Sequence, residues 1–125
     1  MILVGLDRRM FRVNHAMCEM LAYDEQELLR LSVTDITHPE ERERDWQRAE
    51  QIFRGEISSQ RWEKRYLKKN GEIVPVEVTA TLVRDADGKP HYALALVEDI
   101  TERKRAELAL EESRSRLAVA PDRTW

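Results

Sequence analysis

The spacing of apolar positions changes repeatedly along this chain, and each change marks a predicted element. Ile2–Leu6 is a short apolar run, Asp7-Arg8-Arg9 interrupts it, and Met10, Phe11 and Val13 resume it around Arg12. Two short runs with a polar break predict a hairpin, although no Gly in the break defines the turn. After Asn14 the period becomes helical, with Ala16, Met17, Met20 and Leu21 on one face and Asn14 as the N-cap. Asp24-Glu25-Gln26-Glu27 has capping-box form ahead of Leu28 and Leu29, so a second short helix starts there. Ser32–Thr37 mixes β-branched and small polar residues and reads as an irregular connector. Thr37-His38-Pro39-Glu40 predicts another helix start, with Thr37 or His38 as cap and Pro39 in the first turn. That helix runs to about Phe53 with Trp46, Ala49, Ile52 and Phe53 on one stripe, and Gly55 suits its left-handed end.

From Ile57 onward the period approaches two. A strand carrying Trp62, Tyr66 and Leu67 ends at Asn70-Gly71, a strong hairpin signal. Val74, Val76, Val78, Ala80 and Leu82 then alternate with Pro75, Glu77, Thr79 and Thr81, a two-faced strand. Pro75 cannot donate to a ladder, so its N–H side belongs at an edge or a bulge. A turn at Asp85–Pro90 leads into Tyr92–Val97, a strand with near-continuous apolar character. Three consecutive strands joined by tight turns predict an antiparallel meander. Thr101–Val119 is helical again. Ala106, Leu110, Ser113, Leu117 and Ala120 step by 4, 3, 4 and 3, a heptad seam with charge on both flanks, and Pro121 is expected to stop it.

Composition narrows the class. With 125 residues, one domain is the default, and 42% hydrophobic with 36% charged residues excludes collagen-like and low-complexity chains. Lys and Arg total 21 against 24 Asp and Glu, a formal charge of −3, so no basic excess draws a nucleic-acid backbone. Cys18 is the only cysteine, which excludes an intrachain disulfide and fits a reducing cytoplasmic compartment. No apolar run is long enough to span a bilayer, and Met1–Leu6 lacks the charged start and cleavage site of a signal peptide. Glu40, Glu41, Glu43 and Asp45 interleave with Arg42, Arg44 and Arg48, which reads as a solvated helix face. Arg61, Lys64, Arg65, Lys68 and Lys69 read as alternately exposed or paired with Glu63, Glu72 and Glu77 on neighbouring strands. No catalytic residue, metal site or phosphate-binding loop emerges, so no enzyme activity is read here.

Five segments in order carry a family resemblance: Val13-Asn14-His15-Ala16; Leu21-Ala22-Tyr23 with Glu27-Leu28; Thr37-His38-Pro39-Glu40-Glu41; Lys69-Asn70-Gly71; and Glu98-Asp99-Ile100-Thr101-Glu102-Arg103-Lys104. Together they resemble the PAS fold, of the S-box type with a C-terminal PAC part, over about Ile2 to Leu117. The resemblance implies an α+β fold, with a five-stranded antiparallel sheet, short helices on one face and a C-terminal exit helix. Residues 1–101 are then the sensory domain, 102–120 the signalling helix and 121–125 a tail. Ala22 stands where the family usually has Gly, His15 where it has Pro, and Asp7-Arg8-Arg9 where it has an Asp-Gly turn. The family's usual helical cap before the first strand has no counterpart here, so the chain reads as an excised segment.

The resemblance also implies function: a cytoplasmic sensory or regulatory module that passes a signal to an output domain, typically a histidine kinase or a cyclic-dinucleotide enzyme. The alternative is a ligand-free module for homodimerisation or protein–protein interaction. Haem-binding relatives place a ligating His on the long helix, whereas Glu40–Gly55 has none; His15, His38 and His91 read as surface or capping residues. Light-sensing relatives carry an adduct-forming Cys before that helix, and Leu31–Thr37 has none, leaving Cys18 as a small hydrophobe. Trp46 and Trp62 keep non-covalent flavin open. The remaining expectation is a small metabolite or no cofactor. Candidate pocket residues facing the sheet are Leu21, Ile36, Trp46, Phe53, Trp62, Val76, Val78, Leu94 and Leu96. Asp99 and Thr101 are expected to transmit the signal, Thr101 by capping the exit helix and Asp99 by holding a basic partner. Ala106, Leu110, Ser113 and Leu117 would form the seam of a parallel homodimer. No nucleic acid and no membrane contact is expected of this segment.

Overall fold

The computed structural model describes residues 1–123, with side chains described through Ser115. Strands β1 (Ile2–Gly5) and β2 (Met10–Val13) form a hairpin, and α1 (His15–Leu21), α2 (Glu25–Leu29) and α3 (Val33–Ile36) follow. A 3-10 turn at Pro39–Glu41 leads into α4 (Arg42–Phe53). The strands β3 (Ser59–Leu67), β4 (Ile73–Arg84) and β5 (Pro90–Asp99) come next, and α5 (Thr101–Arg123) closes the series. The five strands form one antiparallel sheet in the order β2-β1-β5-β4-β3. The meander β3-β4-β5 is therefore completed by β1, which pairs with β5 at the sheet centre.

Local signals place most of the helix starts. Asn14 Oδ1 accepts from Met17 N, and Asp24 and Glu27 form a reciprocal capping box. His38, not Thr37, takes the cap before Pro39, its Nδ1 accepting from Glu40 N. The connector at Ser32–Thr37 is itself a helix, because Ser32 and Asp35 form a second capping box around its single turn. Gly55 ends α4 in the left-handed region, where Gly55 N and Glu56 N donate to Ile52 and Gln51 carbonyls. Pairing with β5 stops at Val76–Asp99, so the N–H that Pro75 lacks costs no ladder bond there. The Pro75 carbonyl accepts from Ile100 N at 3.0 Å and leads the chain into α5.

The core lies between the sheet's inner face and α1–α4, with Ile2, Met17, Leu21, Leu28, Ile36, Ile52, Tyr66 and Val76 fully buried. Among the described residues, two non-glycine residues adopt positive φ, Arg8 at 71° and Ala22 at 60°. Ala22 is the left-handed C-cap of α1, where its Cβ is strained as the missing glycine predicts. Ala22→Gly is expected to raise stability by about 0.5–1 kcal/mol, relief of strain outweighing the added freedom of the unfolded chain. Urea denaturation measures this, and an unchanged or lower midpoint contradicts the strain.

Beyond its first turn, α5 leaves the sheet. Residues 105–115 are all exposed, so the helix does not lie against its own domain over that length. Leu117 and Ala120 of the seam fall outside the residues with described side chains, but the helical backbone runs through Pro121 to Arg123, so Pro121 does not stop the helix as expected and the tail does not begin at residue 121.

Candidate functional site

A cavity of about 50 Å³ lies between the inner face of the sheet and α3 and α4. The sheet supplies its floor with small side chains, Ala80 from β4 and Ala93 and Ala95 from β5. A row of methyl groups where larger residues would fill the gap leaves the space open. Val4 closes one side, and Ile52, Phe53 and Trp46 of α4 form the roof.

Of the predicted pocket residues, Trp46, Phe53, Trp62 and Val78 are in the cavity wall. Leu21, Ile36 and Val76 are buried in the adjoining core and do not line it. Leu94 and Leu96 are on the other face of β5, and Leu96 is 53% exposed. Alternation in Ala93-Leu94-Ala95-Leu96 fixes only that alanines and leucines face opposite ways. The leucines' bulk suggested the interior, yet the alanines occupy it, and the strand is not buried on both faces.

Polar groups in the wall were not apparent as a group from sequence. Lys64 is 5% exposed and Asp45 is 8% exposed, and their Nζ and Oδ1 atoms are 2.7 Å apart. Lys64 Nζ also donates to Thr37 Oγ1 at 3.3 Å, and Trp62 Nε1 donates to Asp45 Oδ1 at 3.1 Å. Asp45 contradicts the reading of a solvated helix face, and Lys64 is buried and pairs with Asp45 rather than with Glu63, Glu72 or Glu77. Asp45 precedes Ala49, Ile52 and Phe53 by helical steps, so it belongs to their stripe. Lys64 lies two residues from each of Trp62 and Tyr66, which places all three on the inner face of β3. These spacings were the available signals. Burial lowers the pKa of the Lys64 ammonium, opposed by the Asp45 carboxylate beside it. The basic residue next to it, Arg65, pairs with Glu40 and Glu41 in the 3-10 turn that leads into α4 and so ties that turn to β3.

Arg8 is the third charged group in the wall, 4% exposed at the β1–β2 turn. The turn closes through Gly5 N to Arg9 O at 2.9 Å, with Arg8 in the left-handed position of a three-residue loop. The resemblance places a glycine near this point; here a long cationic side chain takes the strained conformation. Its guanidinium carbon lies 4.4 Å from the ring centroids of both Trp46 and Phe53. One Nη donates to the Leu6 carbonyl, and the other pairs with Glu50. Its Nε has no hydrogen-bond partner.

No histidine or cysteine is in the cavity wall. His15 and His91 are exposed and His38 caps the turn at Pro39, while Cys18 borders the core under α1. Groups of His, Cys, Asp or Glu suited to a metal do not occur among the described residues.

The exit from β5 departs from expectation in detail. Asp99 Oδ1 accepts from Thr101 N at 2.9 Å and from Thr101 Oγ1 at 2.5 Å. Thr101 is the first helical residue and donates, while Lys104 N bonds the Ile100 carbonyl. Among the described residues no basic side chain pairs with Asp99. The nearby cations bind elsewhere: Arg103 pairs with Glu77 at 2.9 Å and Lys104 with Glu63 at 2.5 Å. The Asx turn at Asp99 saturates its near oxygen locally, which is why the longer-range partner is not needed.

The family model described as a PAS domain matches residues 1–102. A probable diguanylate cyclase, DgcE of Escherichia coli K12, is 38% identical over 120 residues, 96% of this chain and 11% of that protein. Sensor histidine kinase TmoS of Ectopseudomonas mendocina is 28% identical over 116 residues, 93% of this chain and 12% of that protein. The chain thus spans about a tenth of the length of these curated relatives. Among solved structures, a PAS domain from Colwellia psychrerythraea superposes with TM-score 0.74 at 18% identity, covering 81% of this chain and 85% of that one. The N-terminal domain of a diguanylate cyclase with a PAS/PAC sensor from Marinobacter aquaeolei gives 0.71 at 16%, covering 82% and 95%. No helix is long and apolar enough to cross a membrane among the described residues.

Proposed function

This chain belongs to the PAS domain family, and from that premise we propose that it is the sensory module of a larger cytoplasmic signalling protein. Its ligand is a small molecule held in the cavity under α4. Its output domain is of the histidine kinase or diguanylate cyclase type named for its relatives. The observation that carries the reading is the alanine-floored cavity with buried charged groups in its wall. Interiors are close-packed, and buried charge is costly, so a fold with no use for the site would fill it with apolar side chains. The volume suits a few heavy atoms, about the space of three or four waters, so a haem or flavin ring needs α4 to move outward.

Transmission runs through the end of β5. Occupancy of the cavity presses on Ala93 and Ala95, and the same strand ends at Asp99, which orients Thr101 and α5. The domain spans 1–101, and α5 continues as the signalling helix.

A second reading, an interaction module without ligand, is favoured by exposed apolar groups. Leu108 and Leu110 on α5, and Leu96 and Phe11 on the outer sheet face, are open to solvent. In this reading Ala106, Leu110, Ser113 and Leu117 pair two copies in parallel. Native mass spectrometry of the purified chain separates the cases. A reproducible added mass of a small molecule, lost on denaturation, supports the sensor. A bare dimer mass supports the interaction module, and a bare monomer at high micromolar concentration removes the homodimer.

A further inference from the structure

We propose that the cavity selects a small carboxylate, of the size of propionate, whose negative end is bound by Arg8 and whose carbon chain lies over Ala80, Ala93 and Ala95. This rests on the sensor reading above and names the chemical class of its ligand. Lys64 and Asp45 neutralise each other within the wall, with Trp62 Nε1 donating to Asp45 Oδ1 and Lys64 Nζ donating to Thr37 Oγ1. Arg8 differs. Its one carboxylate partner, Glu50, is not part of the wall and is partly open to solvent, while Arg8 itself is buried. Its Nε–H is buried without an acceptor, the one fully buried side-chain nitrogen or oxygen in the cavity wall left so among the described residues.

A buried N–H of a charged group left without an acceptor is costly, so a ligand oxygen that supplies one gains that difference on binding. Guanidinium presents several donors in one plane and stays charged at any accessible pH, which matches a carboxylate better than a neutral amide or an alcohol. Trp46 and Phe53 both pack against the guanidinium and restrict where it points, so little order remains to be imposed on binding. The methyl floor offers no hydrogen-bonding group, which disfavours polar chains behind the carboxylate. The strained φ of Arg8 fits the same role, since a glycine would relax the turn but carry no cation.

The test compares propionate with its uncharged isostere propionamide by calorimetric titration of the full chain at constant ionic strength. Propionate is expected to bind about tenfold or more tightly than propionamide. Arg8→Gly removes the guanidinium while suiting the turn, and is expected to abolish the preference with folding intact by circular dichroism. Arg8→Lys, which keeps the charge, is expected to retain part of it. Equal binding of the two probes overturns the anionic assignment and leaves a ligand-binding cavity. A preference for propionate that survives in Arg8→Gly overturns the role of Arg8. Binding of neither probe also overturns the assignment. If native mass spectrometry then still finds an added mass, the sensor reading stands with a ligand of another class; a bare mass removes both.

Discussion

Lys64→Met is expected to lower stability by about 3–5 kcal/mol, because it leaves the Asp45 carboxylate buried with Trp62 Nε1 as its remaining partner. That is a large share of the roughly 5–15 kcal/mol that holds a typical domain folded. The double replacement Lys64→Met with Asp45→Leu is expected to recover most of the loss, or to exceed the parent. Two apolar side chains of similar volume carry no desolvation cost, whereas the ion pair offsets its own cost only in part. The direction of the Lys64 pKa agrees. Burial lowers it despite the adjacent carboxylate, so the folded protein sheds this proton before the unfolded chain does. The unfolded form therefore binds more protons in the window between the lowered pKa and the ordinary value of about 10.4, and stability gains from rising pH there. Guanidinium unfolding of parent, single and double variants across alkaline pH reads all of this. The double variant should lose the alkaline gain. A single variant as stable as the parent would show that the pair is solvated.

Asp99→Ala is expected to affect signalling more than folding. The side chain accepts two hydrogen bonds from Thr101 at an exposed helix start, so its removal should cost about 1 kcal/mol of stability. These bonds set the direction in which α5 leaves the sheet, and couplings of this kind are modulated by about 0.5–2 kcal/mol. In a protein carrying this segment with its output domain, the ratio of output activity with and without stimulus should fall about tenfold. Asp99→Asn keeps an acceptor for Thr101 and should restore part of the ratio. Loss of folding and of response in equal measure would reduce Asp99 to a structural residue.

How the fold was legible and the site was not comes down to particular residues. Strand alternation in Val74–Leu82, the caps at Asn14 and Asp24, and the Asn70-Gly71 turn are local signals, and local chemistry decides them. The site assembles from residues far apart in sequence: Arg8 of a turn, Asp45 of α4 and Lys64 of β3 meet only through the folded sheet. Asp45 and Lys64 both occupied inward positions of their periods, but Asp45 was read as part of a solvated helix face and Lys64 as exposed or paired with strand glutamates. A buried ion needs its partner to be visible, and the partner is nineteen residues away. The Leu94 and Leu96 assignment failed for a different cause. Period two cannot say which of two alternating apolar sets faces inward, and here the smaller set does because a cavity is kept there.

The attachment of α5 has a mechanical consequence. At about 1.5 Å per residue the Thr101–Arg123 helix is about 35 Å long, and among the described residues its grip on the domain is confined to its first turn. A helix fixed only at its base is a lever with a large gain. A tilt of about 10° at Thr101 displaces the far end by about 6 Å, roughly the rise of one helical turn. The ion pairs of Arg103 and Lys104 with Glu77 and Glu63 are solvent-exposed and individually weak, so the fulcrum is compliant. On the proposed sensor reading, a sub-ångström adjustment of β5 around a few ligand atoms would become a change of register at the distance where an output domain would be joined.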